Sequence, residues 1–476
     1  TFNGGYNVSS TDLRSHGYSV LGFPADELND PGFGLDYHPE KKPTGNSELS
    51  RMAGFFGNLN YTYDNRYFAD FSVRADASSR FGADKRWAVF WSAGVGYNLH
   101  NEVFLKKLEW VSLLRLRASY GVTGGQNFNP YQAMTTYRFI TDKWYGYGSG
   151  AEMLALGNDD LKWQSTVQKN FGLDLGMWKD RLTLTFNYYH KLSENSLTDV
   201  TLPPSLGFPS YKENLGEVVN EGWEFTLRGF VVKKEDFNIM LSVNGAQNNN
   251  KLKKISNSLK AFNEEQDKQV ENKVMARYVE GQSLNTIWVV RSLGIDPANG
   301  KELFLDKNGK RTYDWNADDY VAEATTDPRL YGNLGLGIFY RGFSLNTYVN
   351  YSLGEKAYNQ TLVDRVENAD KHYNCDRRVL YDRWHKPGDE TFFKDVKDAS
   401  VTRPTSRFVQ KNNYLNMTSL NVAYEFNPRL LEPLRIKYLK LAFYMTDLFR
   451  ISTMKAERGL DYPFARTFTT SLQIRF

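Results

Sequence analysis

Side chains on a β-strand point to opposite faces in turn. Apolar and polar residues alternate with that period along much of this chain. The last ten residues show it most plainly: Phe468, Thr470, Leu472, Ile474 and Phe476 alternate with Thr467, Thr469, Ser471, Gln473 and Arg475. Tyr67, Ala69, Phe71, Val73 and Ala75 alternate in the same way with Phe68, Asp70, Ser72, Arg74 and Asp76. The pattern recurs over 114–123, 181–191 and 343–353, and further strands of this kind lie near 51–63, 86–99, 165–178, 219–232, 237–248, 331–341, 414–427 and 437–448. The total is about thirteen strands of roughly 10–14 residues, against the 9–11 that a tilted strand needs to cross a bilayer core.

The connections fall into two classes that alternate along the chain. Asp64–Asn65, Lys179–Asp180, Lys233–Asp236 and Arg341–Gly342 are tight, whereas 124–164, 193–217, 249–330, 354–410 and 449–463 are long. Transmembrane β-barrels have short periplasmic turns and long extracellular loops. The alternation therefore predicts an all-β fold, a transmembrane antiparallel barrel of the bacterial outer membrane, crossed many times. The stretch 100–112 reads as a short helical turn on the periplasmic side, and the strand-like 284–294 as part of an external loop. The short turn at Asp64–Asn65 makes the strand before it run inward, which puts residues 1–50 outside the cell as an extracellular loop segment and leaves 51–476 as barrel. Thirteen strands is an odd number, whereas single-chain barrels have even ones. The parity predicts a wall that is incomplete in this chain, with the break in an external loop.

Composition adjusts this picture in three places. Tyr, Phe and Trp make up 15% of the 476 residues. Several stand at strand ends (Tyr61, Tyr63, Tyr67, Trp87, Trp178, Tyr424, Tyr438), where amphipathic rings favour the membrane interface. A net charge of +4 is too small for so long a chain to mark a nucleic-acid binder. Cys375 is the one cysteine, so no internal disulfide can form. A soluble sandwich or propeller would also show alternation, but not the long strands and the one-sided loops.

Several segments, in order, resemble SusC/RagA-type TonB-dependent transporters. They are Arg74-Ala-Asp-Ala-Ser-Ser-Arg-Phe81 with Arg86-Trp-Ala-Val-Phe-Trp-Ser-Ala-Gly94, Leu113-Leu-Arg-Leu-Arg-Ala-Ser-Tyr-Gly-Val-Thr-Gly124, and Asn158-Asp-Asp-Leu-Lys-Trp-Gln164. Leu293–Gly300, Asp306–Gly309, Asp327–Asn333, Asn413–Leu415 and Asp461–Phe468 complete the series. In the Asn158 segment the family has Pro where this chain has Asp159. The resemblance implies a barrel of about 22 strands around an N-terminal plug. The plug, its TonB-contacting box and the first strands would then lie upstream, in a separate or nicked chain. It further implies TonB-dependent active import of an oligosaccharide or oligopeptide, a SusD-like surface lipoprotein as lid, and no cofactor.

Two groups of residues are candidates for function. Arg74, Asp76, Arg115, Arg117, Asp174, Glu224 and Arg228 occupy the polar face of strands whose other face is apolar. Charge on the lipid face costs up to about 4 kcal/mol at mid-bilayer, so these residues should face the lumen and hold a plug or touch substrate. The long loops carry aromatics that can stack on sugars or bury peptide side chains: Trp144, Tyr145, Tyr147, Trp288, Trp315, Tyr373 and Trp384. The same rings could equally fold the loops or meet another protein. Asp306-Lys-Asn-Gly-Lys310 has Lys310 where a calcium loop needs an oxygen ligand, and reads as a turn. The six histidines form no ligand set, and no nucleophile motif stands out, so catalysis and a metal are not expected. The alternatives to active import are a barrel enzyme or a passive porin.

Overall fold

A computed structural model describes the chain apart from residues 127–128, 147, 202–209, 256–258, 261–262, 265, 267–271, 371, 456 and 458–465; for 141–145, 149, 196–201 and 210–215 it describes the backbone only. No helix among the described residues is long and apolar enough to cross a membrane. The molecule is built on one antiparallel sheet whose strands pair in chain order. These are β1 (Phe2–Gly17), β2 (Thr44–Tyr63), β3 (Tyr67–Ser78), β4 (Trp87–Asn98), β5 (Val111–Gly125), β6 (Gln164–Met177) and β7 (Leu182–Thr201), then β8 (Ser210–Lys233), β9 (Phe237–Lys254), β10 (Leu330–Tyr340), β11 (Phe343–Leu353), β12 (Tyr414–Glu425), β13 (Tyr438–Thr446) and β14 (Phe468–Arg475). The sheet has fifteen segments, but Arg450–Ser452 continues β13 along β12 after a kink at Asp447, so fifteen less one gives fourteen strands.

The extra strand is β1, and it corrects the reading of 1–50 as loop. Residues 2–17 pair with β2 over its length, with Tyr6 opposite Phe55 and Val8 opposite Ala53. The alternation of Phe2, Tyr6 and Val8 with Asn3, Asn7 and Ser9 is present but diluted by Gly4 and Gly5. An even count removes the parity argument for a break in an external loop. Thr1 lies instead at the end of the sheet that carries the short turns, its ammonium donating to the Asn60 carbonyl at 2.6 Å. Phe476 lies at the same end, its carbonyl accepting from Lys437 Nζ.

The tight turns follow from their residues. Asp64 and Asn65 have φ of 49° and 51°, and Arg341 and Gly342 have 45° and 87°. Two successive positive φ values define the hairpin turn whose twist matches that of the strands, and Asn, Asp and Gly tolerate them best. Aromatics collect at this end. Tyr67 stacks on Tyr97 at 4.8 Å, Phe237 meets Tyr340 edge-on at 5.7 Å, and Tyr424 meets Phe426 at 4.9 Å. They form the girdle expected at a membrane interface.

At the other end, β7 and β8 run on beyond the positions at which the sequence pattern ends them. The segment 193–217 is largely their paired extension rather than an open loop. The described parts of the β9–β10 and β11–β12 loops fold together into one extracellular module, with Val290 bridging to Thr405 and Ser292 N donating to Ser406 Oγ. Thr286–Ile295 does belong to this external region, as the middle of a small sheet with Glu302–Leu305 and Tyr320–Thr325. Val363, Val366, Val379, Phe393 and Phe408 form its core.

Candidate functional site

Register turns the polar faces of separate strands into continuous rows. One row runs through Asn98, Arg115, Asp174, Thr185, Thr226, Asn244, Asn333, Asn350, Asn416 and Arg450, each directly opposite the next on the neighbouring strand. The residues one position away along the same strands, such as Leu116, Leu173, Phe186, Leu227, Val243 and Leu334, are apolar and lie on the opposite face. Lipid tolerates only the second face, so the polar row belongs to the face turned away from lipid.

Charges on this polar face pair across strands. Arg117 binds Asp174 through two N–H groups, Nε at 2.9 Å and Nη2 at 3.1 Å, and Nη2 also donates to Asn187 Oδ1. Asn187 Nδ2 passes the chain to Glu224 at 3.2 Å. The Gly172 position beside Arg117 has no side chain, which leaves room for the guanidinium. Arg115 donates to Asn98 Oδ1 at 2.7 Å and lies over the Phe68 ring. Arg74 binds Asp76 at 2.6 Å and reaches Asn7 of β1 at 3.2 Å. Arg228 stands opposite Thr183 and Ser242 on the same face. A hollow of about 310 Å³ opens beside Glu224, over Thr185, Asn187, Asn244 and Asn333. Higher on the wall, Asn220 Oδ1 accepts from both Asn248 and Asn250, and Tyr189 donates to Asn248.

The loop aromatics are divided by their surroundings. Trp288 is buried, with Arg277 over its ring at 5.8 Å. Trp384 is also buried, its Nε1 donating to the Pro297 carbonyl at 3.0 Å. In this conformation both rings hold the module together and offer no open face. Trp315 is tied by Nε1 to Pro404 but borders a cleft of about 690 Å³, with Arg403 stacked on it at 4.9 Å and Tyr313 nearby. Tyr373 is exposed. Nothing is described of the side chains of Trp144 and Tyr145, and Tyr147 lies outside the described residues.

Sequence pattern does not reveal what binds the module. Arg407 is buried between two carboxylates, Glu302 at 2.7 Å and Glu367 at 2.6 Å, and these also accept from Thr405 and Thr402. Burial opposes the Arg407 charge, yet the carboxylates hold its proton above the usual arginine range. Arg383 is fully enclosed and donates to the carbonyls of Val366, Glu367, Lys394 and Asp395. The partners are separated by up to 105 residues, and no local motif signals the pairing. Asp306 forms the turn expected of it, accepting from the N–H groups of Asn308 and Lys310, which lower its pKa. No cluster of metal-ligating side chains occurs among the described residues.

Segments singled out in the sequence meet in space. Phe81 stacks on Trp163 at 4.5 Å, Phe90 meets the same indole edge-on, and Trp163 Nε1 donates to the Arg86 carbonyl. Asp327 accepts from Ser283, Asn285 and Thr325, and Asn413 accepts from Gly354 N. Residues 1–368 match the family model described as TonB dependent receptor-like, beta-barrel. The chain belongs to this family.

The receptor-like barrel is 28% identical over 474 residues to the TonB-dependent receptor SusC of Bacteroides thetaiotaomicron, covering 92% of this chain and 45% of that protein. It is 26% identical over 478 residues to TonB-dependent receptor P3 of Formosa agariphila, covering 91% of this chain and 46% of the relative. The fold matches the RagAB peptide importer in its closed-closed state with a TM-score of 0.82 at 24% identity, over 99% of this chain and 53% of that one. The receptor-like barrel thus spans about half the length of the relatives it matches. Those relatives are receptors and transporters, not enzymes, and the barrel is a protein of the bacterial outer membrane.

Proposed function

We propose that this chain forms part of the wall of an energy-coupled importer that draws an oligosaccharide or oligopeptide across the outer membrane. The observation that carries the reading is the polar row running across consecutive strands with an apolar row behind it. Such a wall surrounds a wide polar lumen, and a lumen of that width needs a plug if the membrane is to stay sealed. The Arg117–Asp174–Asn187–Glu224 network and the Arg74–Asp76 pair suit a plug-facing role: already neutralised, they can exchange partners at little cost. The outer membrane holds no nucleotide pool, so the plug would be moved by the inner-membrane TonB complex.

Substrate would be met above the wall. Trp315 and Tyr313, beside the 690 Å³ cleft, and exposed Tyr373 are among the described aromatics open to it; Trp144, Tyr145 and Tyr147 remain candidates on sequence grounds. Leu380, Tyr381 and Val401 are also exposed on the module. Apolar surface of that extent fits a covering protein, here a SusD-like lipoprotein lid. Uptake of labelled oligosaccharide and oligopeptide by cells with and without TonB tests the reading. Uptake should require TonB while surface binding does not. Equal uptake in both strains would favour a passive pore and overturn the proposal.

A further inference from the structure

Charge is not spread evenly around the wall. The charged residues of the polar face described above, from Arg74 to Arg228, all stand on β3 to β8. The next four strands are different. Residues 237–250 of β9, 330–340 of β10, 343–353 of β11 and 414–424 of β12 include no Asp, Glu, Lys, Arg or His on either face. There the polar row that passes through Asp174 continues as Asn244, Asn333, Asn350 and Asn416, and a second rung nearer the short turns joins Asn346 to Asn421.

Aromatic rings stand among these carboxamides. Tyr331 lies opposite Ala246 and Ser352, Tyr348 opposite Gly335 and Ser419, and Tyr444 opposite Asn421, so all three share the face of the asparagines. They descend it in that order: one rung above the Asn333–Asn350 pair, one rung below it, then level with Asn346. They are 40%, 45% and 42% exposed, so each offers ring surface to whatever lies on that side. Gly335 keeps the wall shallow beneath one of them: a Cβ there would stand 3.0 Å from the Tyr348 ring, which leans over the glycine.

The two sectors suit different partners. Charge-assisted hydrogen bonds hold a fixed partner firmly, as a plug requires. Neutral amides donate and accept at once and each adds little net binding. Tyrosine rings add an apolar face with a polar tip. Such a surface can hold a moving chain without trapping it, provided that the chain is uncharged and rich in hydroxyls. A peptide bearing Lys, Arg, Asp or Glu would meet no counter-charge along these four strands.

We propose that the β9–β12 sector, with Tyr331, Tyr348 and neighbouring Tyr444, is the track along which a neutral oligosaccharide passes the plug. This rests on the importer reading above and narrows its substrate to the uncharged, hydroxyl-rich class. Uptake by cells carrying the complete assembly tests it with three probes: a digest of neutral polysaccharides, a digest of pectin as the anionic counterpart, and a tryptic digest of casein. Fragments that reach the periplasm are identified by mass spectrometry. TonB-dependent uptake should favour the neutral fragments. Tyr348→Leu and Asn350→Asp should each slow it several-fold with binding at the cell surface unchanged, and Tyr348→Phe, which keeps the ring, should not. Heat-modifiable mobility on gels checks that each variant has folded. Preference for the pectin or casein fragments, or undiminished uptake by both Tyr348→Leu and Asn350→Asp, would overturn the track and leave the importer standing. Absence of TonB-dependent uptake from all three digests would remove the importer reading itself, and the track with it.

Discussion

At the scale of single residues, the least replaceable side chain of the module is Arg407. It is 3% exposed and neutralises Glu302 and Glu367, which are buried as deeply. Removing one member of such a set leaves charge stranded in a poor solvent, which costs about 3–5 kcal/mol. Arg407→Ala should therefore open the module while leaving the barrel folded. The measurement is protease cleavage within 286–325 and 355–411 alongside the heat-modifiable mobility of the barrel on gels; an uncleaved module would refute it. The sequence identified which charges belong to the polar face, because alternation alone decides that. It could not identify Arg407 or the burial of Trp288 and Trp384, since their partners come from loops far apart in the chain and no periodicity links the two.

At the scale of elements, a strand was legible wherever its apolar residues were large. The strands β3, β11 and β14 were plain, and β1 was missed because glycine and asparagine dilute its pattern. Extensions beyond the bilayer, as in β7 and β8, need no apolar face at all and so resemble loop. The turns were legible from Asn, Asp and Gly, and they allow a direct test. Asn65 holds a φ of 51°, which costs a β-branched residue about 1–2 kcal/mol. Asn65→Val should lower the urea midpoint of folding into lipid vesicles, and Asn65→Gly should not. Equal effects would mean that the turn does not set the register of β2 and β3.

At the scale of the whole molecule, long-range ties join the loops to one another. Arg378 binds Asp376 at 2.7 Å and Glu457 at 2.6 Å, fastening the module to the loop that precedes β14. Hydrogen bonds from the Arg378 side chain and backbone hold the Asp376 carboxyl at about 2, below its usual 3.8. A depressed carboxyl contributes stability above its unfolded pKa and loses it as pH falls through the folded one. The local Arg378–Asp376 pair should thus be intact at pH 5 and lost between about pH 4 and pH 2. Hydrogen exchange in 376–382 should rise over that window, and Arg378→Gln should raise it already at neutral pH. No difference between the variant and wild type at pH 7 would refute the tie.

The buried ion pairs and apolar core of the extracellular module have an evolutionary corollary. Contacts among its own loops make up the core of the module. Its outward surface can therefore accumulate substitutions without disturbing the register of a single barrel strand. Descendants of one wall could diverge in what they recognise while inheriting the same route through the membrane, with the loops evolving as an exchangeable cassette on a common frame.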